Sequence, residues 1–382
     1  MTEVGGMLPH ESEFERQLLR DVAANFVAEK AGTSFTRRMA TSEVGVDEHL
    51  WREMAEMVWQ GILVPENYGG MGLTLAEMST VLQELGRAAY QGPFFTTAVS
   101  SVLAINQCDN ENRKQELLSG IIKGNLIVSL ALDEGYEYKW QEFVSTAVRN
   151  GRKFQLNGRK LFVPYAHVAG MLIVAAQCAD GVGIFAVDRS LAGVEVAVLP
   201  VMSGEKLCSV QFDDVSLPED CLLNAPEYGS ASVEAMFHQC ALLKCAEMVG
   251  GAAAALKMAV EHVSQRKQFD VPVGMFQAVQ HRCADMLTLV DSASILVNES
   301  IDAVLNGDQS LNESASICKI WVSDAYRNTM RHAHQLMAGT GYMEETDLQL
   351  YFRHAKVCEL AFGTPEFYRS YLAKCLAVAG GP

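Results

Sequence analysis

The feature that most constrains the fold is a long stretch almost without proline. Between Pro226 and Pro365, Pro272 is the only proline, and the stretch is rich in alanine, leucine and methionine. Proline removes a backbone donor and clashes inside a helix, so its rarity is what long helices require. Within the stretch, EMVGGAAAALKMAVEHV (residues 247–263) brings apolar side chains round every three to four positions, and its small residues permit close helix packing. Residues 231–382 are therefore predicted to form a helical bundle.

Two regions with different sequence patterns precede this bundle. Residues 1–125 alternate polar and apolar positions at helical spacing, as in ERQLLRDVAANFVAE and LAEMSTVLQELGRAA, with a glycine-rich turn at PENYGGMGL. Residues 126–230 instead contain short β-branched runs such as LIVSLAL, MLIVAA and VEVAVL, separated by turn-like segments such as RNGRK. The sequence thus predicts an α+β protein with an N-terminal helical domain, a middle β-barrel-like domain and a C-terminal helical bundle.

Composition argues against several classes of function. The 382 residues are 49% hydrophobic and 20% charged, and their formal net charge is −16. This charge opposes binding to nucleic acid or to an anionic bilayer, and the basic residues form no stripe. No apolar run reaches the roughly 18 residues needed to cross a bilayer, and the N-terminus lacks the pattern of a signal peptide. We therefore expect a cytoplasmic protein without nucleic-acid or membrane partners.

The spacing of potential metal ligands predicts no metal site. The ten cysteines are scattered, and the closest pair, Cys240 and Cys245, lacks the spacing of a zinc motif. His332 and His334 lie two positions apart on a predicted helix, so they face different directions. Nucleotide-binding signatures are also missing, because GGMGLT lacks a third glycine and no glycine-rich loop ends in Gly-Lys-Ser or Gly-Lys-Thr.

Five stretches, in the expected order along the chain, resemble signatures of the acyl-CoA dehydrogenase family. They are VPENYGGMGLTLAEMSTVLQELGRA (64–88), LNGRKLFVPYAHVAGMLIVAA (156–176), FDDVSLPEDCLL (212–223), RKQFDVPVGMFQAVQHRCADM (266–286) and HQLMAGTGYMEETDLQLYFRHAKV (334–357). The resemblance implies the fold of that family, with FAD lying between subunits. It also implies α,β-dehydrogenation of an acyl-CoA thioester, as in fatty-acid or steroid-type β-oxidation.

The family's catalytic base is missing from both of its usual positions. In most members a glutamate directly precedes a Gly-Thr turn, and here that position is Phe362, before Gly363. Other members place the glutamate ten residues before a glycine that matches Gly250, and here that position is Cys240. Phenylalanine has no titratable group, and a thiol with an ordinary pKa near 8.5 is mostly protonated at neutral pH. The resemblance therefore implies a chain without a catalytic residue at either position.

The flavin-binding stretch also departs from the family. Where members have a sequence resembling Ala-Leu-Thr-Glu-Pro-x-Ala-Gly-Ser-Asp, this chain reads ALDEGYEYKW, so Asp133 replaces a threonine and Lys139 a serine. A Trp-Thr pair beside the flavin reads Phe162 and Pro164 here. A carboxylate near a flavin that becomes anionic on reduction opposes that charge. The chain's own flavin site has thus lost hydroxyl donors.

In the family, some residues contact the FAD of a neighbouring subunit, and this chain matches the family more closely at those positions than at the base and the flavin-binding stretch. In the family these belong to Arg-x-x-Phe-Gly and Gln-x-x-Gly-Gly-x-Gly-Tyr stretches, and a guanidinium can donate two parallel hydrogen bonds to a pyrophosphate. Gly341 and Tyr342 match the second stretch, whereas Asp270 and Ala338 each replace a glycine. With the threonine of the Gly-Thr turn, the candidate cofactor-binding residues are Arg266, Phe269, Gln335, Gly339 and Thr364.

This asymmetry resembles the non-catalytic subunit of bacterial heteromeric (α2β2) acyl-CoA dehydrogenases. The implied partners are a homologous catalytic subunit, an acyl-CoA substrate and an electron-transfer flavoprotein or similar acceptor, and Phe362 would fill an inactive site. Two alternatives stay open. One is an active dehydrogenase with an unorthodox base, for which Glu247 is the least implausible residue. The other is a flavin-free homologue that binds acyl-CoA or serves as a scaffold.

Overall fold

The computed structural model of the protein describes residues 9–135, 140 and 142–379. Within them helices come first, strands follow and helices return, which confirms the predicted α+β class. The first helices are α1 (Pro9–Lys30), α2 (Thr33–Thr41), α3 (Glu48–Glu56), α4 (Leu75–Arg87), α5 (Val102–Asn106) and α6 (Glu111–Ile122). A π-helical segment, Phe95–Ser101, leads into α5.

Side-chain caps fix where several of these helices begin. The Asp47 carboxylate accepts hydrogen bonds from the first N–H groups of α3. At the start of α4, the Thr74 hydroxyl accepts from the backbone N–H of Ala76, while the Glu77 carboxylate accepts from the backbone N–H of Thr74. Such bonds satisfy amide groups that have no partner within the helix. The glycine-rich segment before Thr74 is a loop, as predicted.

The middle of the chain forms an eight-stranded mixed sheet. Its strands are β1 (Val128–Ala131), β2 (Thr146–Asn150), β3 (Lys153–Pro164), β4 (Met171–Cys178), β5 (Gly181–Asp188), β6 (Val194–Val198), β7 (Leu207–Pro218) and β8 (Leu222–Asn224). The strand order is β6-β7-β3-β2-β4-β5-β8, and β1 pairs in parallel with β4. The predicted turn RNGRK is a hairpin between β2 and β3, in which Asn150 pairs with Lys153 and Gly151 has a φ of 62°. Buried side chains such as Leu156, Val174 and Phe185 form the core.

Long helices occupy the rest of the chain, as the scarcity of proline predicted. They are α7 (Pro226–Gln265), α8 (Gln277–Asn306), α9 (Leu311–Met337), α10 (Leu348–Leu360) and α11 (Pro365–Ala379), with a small β9 (Lys267–Gln268) and β10 (Val271–Pro272) hairpin before α8. In the described chain, α7 is the one helix long and apolar enough to cross a membrane. However, 83% of its most apolar window is buried within the protein, which is typical of a core helix.

The chain divides into two compact units, and the division falls within α7. Unit 1 comprises Met1–Thr36, Thr74–Tyr90 and Leu242–Pro382, and unit 2 comprises Arg37–Leu73 and Gln91–Ala241. The division into domains at 1–125, 126–230 and 231–382 stays a prediction.

Glycines bring α4 and α7 into close contact within unit 1. A Cβ atom on Gly86 would lie 2.0 Å from the carbonyl oxygen of Glu247, and one on Gly250 would lie 1.9 Å from that of Gln83. Any larger residue would force the backbones apart, so these positions require glycine. The predicted close packing of the small-residue helix is confirmed.

Candidate functional site

Phe362, the residue that the family resemblance places at the position of the base, lies in a tight turn between α10 and α11. Phe362 has a φ of 52° and Gly363 a φ of 94°, so both adopt the left-handed conformation that favours glycine. The Tyr368 hydroxyl donates to the carbonyl of Phe362 over 3.0 Å. The Thr364 hydroxyl accepts from the N–H of Phe367 over 3.2 Å, so it caps the first turn of α11. The turn is therefore held by its own hydrogen bonds, and it carries an aromatic ring at the position where the resemblance implies a carboxylate.

A buried lysine on α9 fixes the chain just before this turn. The Lys319 side chain is fully buried, and its Nζ atom donates to the carbonyls of Cys358, Glu359 and Ala361, the last over 2.7 Å. These carbonyls lie at the end of α10, where no helical N–H reaches them. Burial lowers the pKa of Lys319 to about 8. No local pattern in the sequence indicated that this lysine caps a helix.

Glu247, the alternative base, is held in a buried ion-pair network. One carboxylate oxygen accepts from Lys244 Nζ over 2.6 Å, and the other lies 2.8 Å from His354 Nε2. Burial by itself would raise the pKa of Glu247, but the Lys244 charge and the hydrogen bond from His354 bring it down to about 2. A carboxylate with both oxygens engaged and a low pKa is poorly suited to remove a proton near neutral pH. Cys240, the other family position for the base, is fully buried.

The chain's own flavin-binding stretch, in unit 2, offers few donors. The Asp133 carboxylate accepts from the N–H of Gly135 over 2.8 Å, so it closes a local turn. Phe162 has a φ of 52° within an irregular part of β3, and 49% of its surface is exposed. Pro164 has no N–H to donate. Lys139 lies outside the described residues.

The segment around Asp133 is tied to β3 by a buried ion pair that the sequence did not reveal. Lys160 is fully buried, and its Nζ atom lies 2.7 Å from a carboxylate oxygen of Glu134. That carboxylate also accepts from the N–H of Ser145 over 2.9 Å. Burial by itself would raise the pKa of Glu134. The charge of Lys160 and the hydrogen bonds to the carboxylate lower it by more, so the pKa of Glu134 lies below its ordinary value. Burial lowers the pKa of Lys160 to about 8.

Most of the residues expected to reach a neighbouring subunit are exposed on unit 1, whereas Gly341 is buried. Arg266 and Gln335 are exposed, and among the described residues neither side chain has a hydrogen-bond or ion-pair partner. Phe269 exposes 86% of its surface and Tyr342 exposes 78%. Both rings lie beside another ring of the chain, at Phe276 and His334, and most of their surface stays open to contact another molecule. Gly339 has no atom within 4 Å of an added Cβ, so its backbone faces open space.

The backbone keeps glycine-like conformations where the sequence has lost glycine. Asp270 has a φ of 64° and Ala338 a φ of 49°. Phe269, with a φ of 54°, and Asp270 form the two-residue loop between β9 and β10, where type I′ turns require positive φ at both residues. The turn shapes that present the exposed groups are therefore kept despite the cost of a side chain.

This exposed set fits FAD chemically. An arginine without a partner can donate two hydrogen bonds to a pyrophosphate, and an amide such as Gln335 can donate and accept. The backbone at Gly339 can be approached closely because no side chain covers it. By contrast, the described part of the chain's own flavin stretch presents a carboxylate and apolar rings.

Comparison with known proteins decides the family. Residues 13–125 match the description "Acyl-CoA dehydrogenase, N-terminal domain", and residues 228–377 match "Acyl-CoA dehydrogenase, C-terminal domain". The chain belongs to the acyl-CoA dehydrogenase family. Members of this family are FAD-dependent oxidoreductases, so the resemblance inferred from the five stretches is confirmed, together with the fold.

The relatives of this acyl-CoA dehydrogenase family chain match it over nearly its full length. Cyclohex-1-ene-1-carbonyl-CoA dehydrogenase of Geobacter metallireducens is 26% identical, over 97% of this chain and 98% of the relative. Among solved structures, the Tcur3481-Tcur3483 steroid ACAD is 27% identical with a TM-score of 0.87, covering 96% of this chain and 99% of that chain. The ChsE4-ChsE5 complex of Mycobacterium tuberculosis, 22% identical with a TM-score of 0.87 over 96% of this chain and 98% of that chain, shares the fold.

Proposed function

We propose that this chain is the non-catalytic subunit of a heteromeric acyl-CoA dehydrogenase. The observation that carries the proposal is an asymmetry between two sites. The turn that should hold the base contains Phe362, whereas Arg266 and Gln335 are exposed, have no partner among the described residues and belong to stretches that in the family reach a neighbour's FAD. A chain without a catalytic base of its own, but with residues that can contact a neighbour's FAD, is suited to completing the active site of another subunit.

In the proposed complex, the homologous partner chain supplies the base and binds the acyl-CoA. FAD held by that partner would supply the hydride-accepting chemistry, and an electron-transfer flavoprotein or similar protein would be the electron acceptor. The residues of the present chain that would hold that FAD are Arg266, through its guanidinium, Phe269, through its ring, Gln335, through its amide, and Gly339, through its open backbone. Thr364, which already caps α11, is the weakest of the candidate cofactor contacts.

Related assemblies support a two-chain arrangement. Two of the similar solved structures, the Tcur3481-Tcur3483 steroid ACAD and the ChsE4-ChsE5 complex, are each named for a pair of chains. Both match this chain over nearly its whole length. We propose by analogy that the present chain also assembles with a homologous chain, in an α2β2 tetramer.

The two alternatives receive less support from the described contacts. An active enzyme based on Glu247 would have to free a carboxylate that Lys244 and His354 both engage. A flavin-free scaffold would give no reason for the glycine-like backbone at Asp270 and Ala338, which the family uses beside FAD.

The experiment that tests the proposal is Arg266→Ala in the co-expressed complex. Loss of a bidentate contact to pyrophosphate should weaken FAD binding at least tenfold, which corresponds to about 1.4 kcal/mol. Arg152→Ala, at another exposed arginine, serves as the matched control and should leave FAD binding unchanged. Unaltered FAD affinity in the Arg266 variant of a correctly assembled complex would overturn the proposed role.

A further inference from the structure

Three potential metal ligands lie together inside unit 1. Glu247 is on α7, while His354 and Cys358 are four residues apart on α10 and therefore on one face of that helix. Glu247 Oε1 lies 2.8 Å from His354 Nε2 and 3.8 Å from Cys358 Sγ, and Nε2 lies 3.4 Å from Sγ. The proposed function assigns no role to this buried group.

These separations are close to those around a zinc ion. Zinc binds nitrogen, oxygen and sulfur at about 2.0–2.3 Å, which places tetrahedral ligands roughly 3.3–3.8 Å apart. The two separations that involve Cys358 Sγ fall in this range. The distance between Glu247 Oε1 and His354 Nε2 is shorter because these two groups hydrogen-bond directly. The carboxylate oxygen must therefore move away from the nitrogen by about half an ångström when the ion binds.

The surroundings of His354 point its free nitrogen toward the same centre. The Tyr326 hydroxyl donates to the carbonyl of Tyr351 over 3.1 Å, so its oxygen accepts from His354 Nδ1–H, which is 3.2 Å away. This leaves Nε2 facing Glu247 and Cys358. A histidine held through its second nitrogen in this way is the usual arrangement of a zinc ligand.

Lys244 is compatible with a metal at this place. Its ammonium group contacts Glu247 Oε2, whereas His354 and Cys358 face the other oxygen, Oε1. A carboxylate can bind a metal through one oxygen while the second accepts a hydrogen bond. The mixed oxygen, nitrogen and sulfur set favours zinc over magnesium or calcium, which prefer oxygen alone.

We propose that Glu247, His354 and Cys358 form a zinc site that joins α7 to α10. On binding, the ion takes the place of the proton between Nε2 and Oε1 and of the thiol proton of Cys358, and both protons pass to water. A water molecule completes four-coordination. The site acts as a structural link between two helices that are far apart in sequence, and it is independent of the proposed subunit role.

Metal analysis of the full-length chain tests this proposal. The chain is expressed with added zinc, purified without chelator, and its zinc content is measured by mass spectrometry. We expect about one zinc per chain, lost in Cys358→Ser and kept in the matched control Cys375→Ser, a half-buried cysteine on α11. Zinc at background level in the folded wild-type chain, or one zinc per chain persisting in Cys358→Ser, would overturn the proposal.

A second measurement on the wild-type chain avoids dependence on a variant that fails to fold. Cobalt(II) replaces zinc with the same ligands and reports thiolate coordination through an intense sulfur-to-cobalt absorption band. We expect this band on adding cobalt to the folded, metal-free chain, together with a raised unfolding temperature. A folded chain whose spectrum and unfolding temperature do not change would show that the three residues form an ion-pair network alone.

Discussion

The Nζ atom of Lys319 lies 2.7 Å from the carbonyl oxygen of Ala361, the residue directly before Phe362. Lys319 lies on α9 and is fully buried. Its contact therefore holds the turn at Phe362 from the interior of the helical unit. The turn therefore has internal support at the position where Phe362 stands in place of the glutamate that the family resemblance implies.

Replacement of this lysine should destabilise the chain. In Lys319→Met the carbonyls of Cys358, Glu359 and Ala361 lose a buried donor, and we expect the free energy of unfolding to fall by about 3 kcal/mol. Urea unfolding of the full chain measures this change. Lys257→Met, at a lysine whose side chain is 78% exposed, is the control and should change stability by less than about 0.5 kcal/mol. Equal effects of the two substitutions would show that the cap contributes little.

Restoring glycine at the two strained turns should stabilise the chain. Asp270→Gly and Ala338→Gly remove a Cβ from backbone with φ values of 64° and 49°, so each should raise the free energy of unfolding by about 1 kcal/mol. Ala259→Gly, in the last third of α7 but inside the helix, is the opposite control and should lower the free energy of unfolding by about 1 kcal/mol. If all three variants lose stability alike, the two turns carry no strain.

Stability should depend on the charge of Glu134 in acid. Because the pKa of this carboxyl is lowered in the folded chain, the unfolded chain binds the proton first as the pH drops below the ordinary value of 4.5. The stabilisation is therefore complete above 4.5 and is lost as the pH falls through the folded pKa.

A substitution isolates this effect. Glu134→Gln leaves Lys160 buried without its partner charge and should cost about 3 kcal/mol at neutral pH. The difference between the variant and the wild type should shrink as the pH is lowered, in chemical unfolding measured at several pH values. A difference that stays constant down to about pH 3 would contradict the lowered pKa.

Placing a carboxylate in the turn should not create an enzyme. Phe362→Glu restores a residue type that the family uses there, but the chain's own flavin stretch still lacks hydroxyl donors at Asp133 and Phe162. We expect no dehydrogenase activity from the variant expressed alone, and activity of the assembled complex within about twofold of the wild type. Acyl-CoA-dependent reduction of an artificial electron acceptor measures both. Turnover by the lone variant would show that its own flavin site is intact.

The sequence predicted the features that depend on local patterns. Long helices followed from the scarcity of proline around Pro272, and strands such as Met171–Cys178 followed from β-branched runs. The same reasoning placed Phe362 before a Gly-Thr turn, where the structure has it.

Contacts between distant residues were beyond local patterns. Glu247 and His354 are 107 residues apart, so no spacing rule brings them together. Lysine is usually found at the surface, so the sequence did not indicate that Lys319 is buried and contacts the end of α10. Asp270 and Ala338 also have positive φ, a backbone conformation that the sequence would have indicated only if these residues were glycines.

The most direct test of the subunit role is the flavin content of the chain. Visible absorbance of the purified protein gives FAD per chain, both for the chain expressed alone and for the chain co-expressed with a homologous catalytic partner. The account predicts little flavin in the lone chain and about one FAD for each pair of chains in the complex, because this chain lends Arg266 and Gln335 but lacks its own flavin donors. One FAD per chain in the protein expressed alone would contradict it.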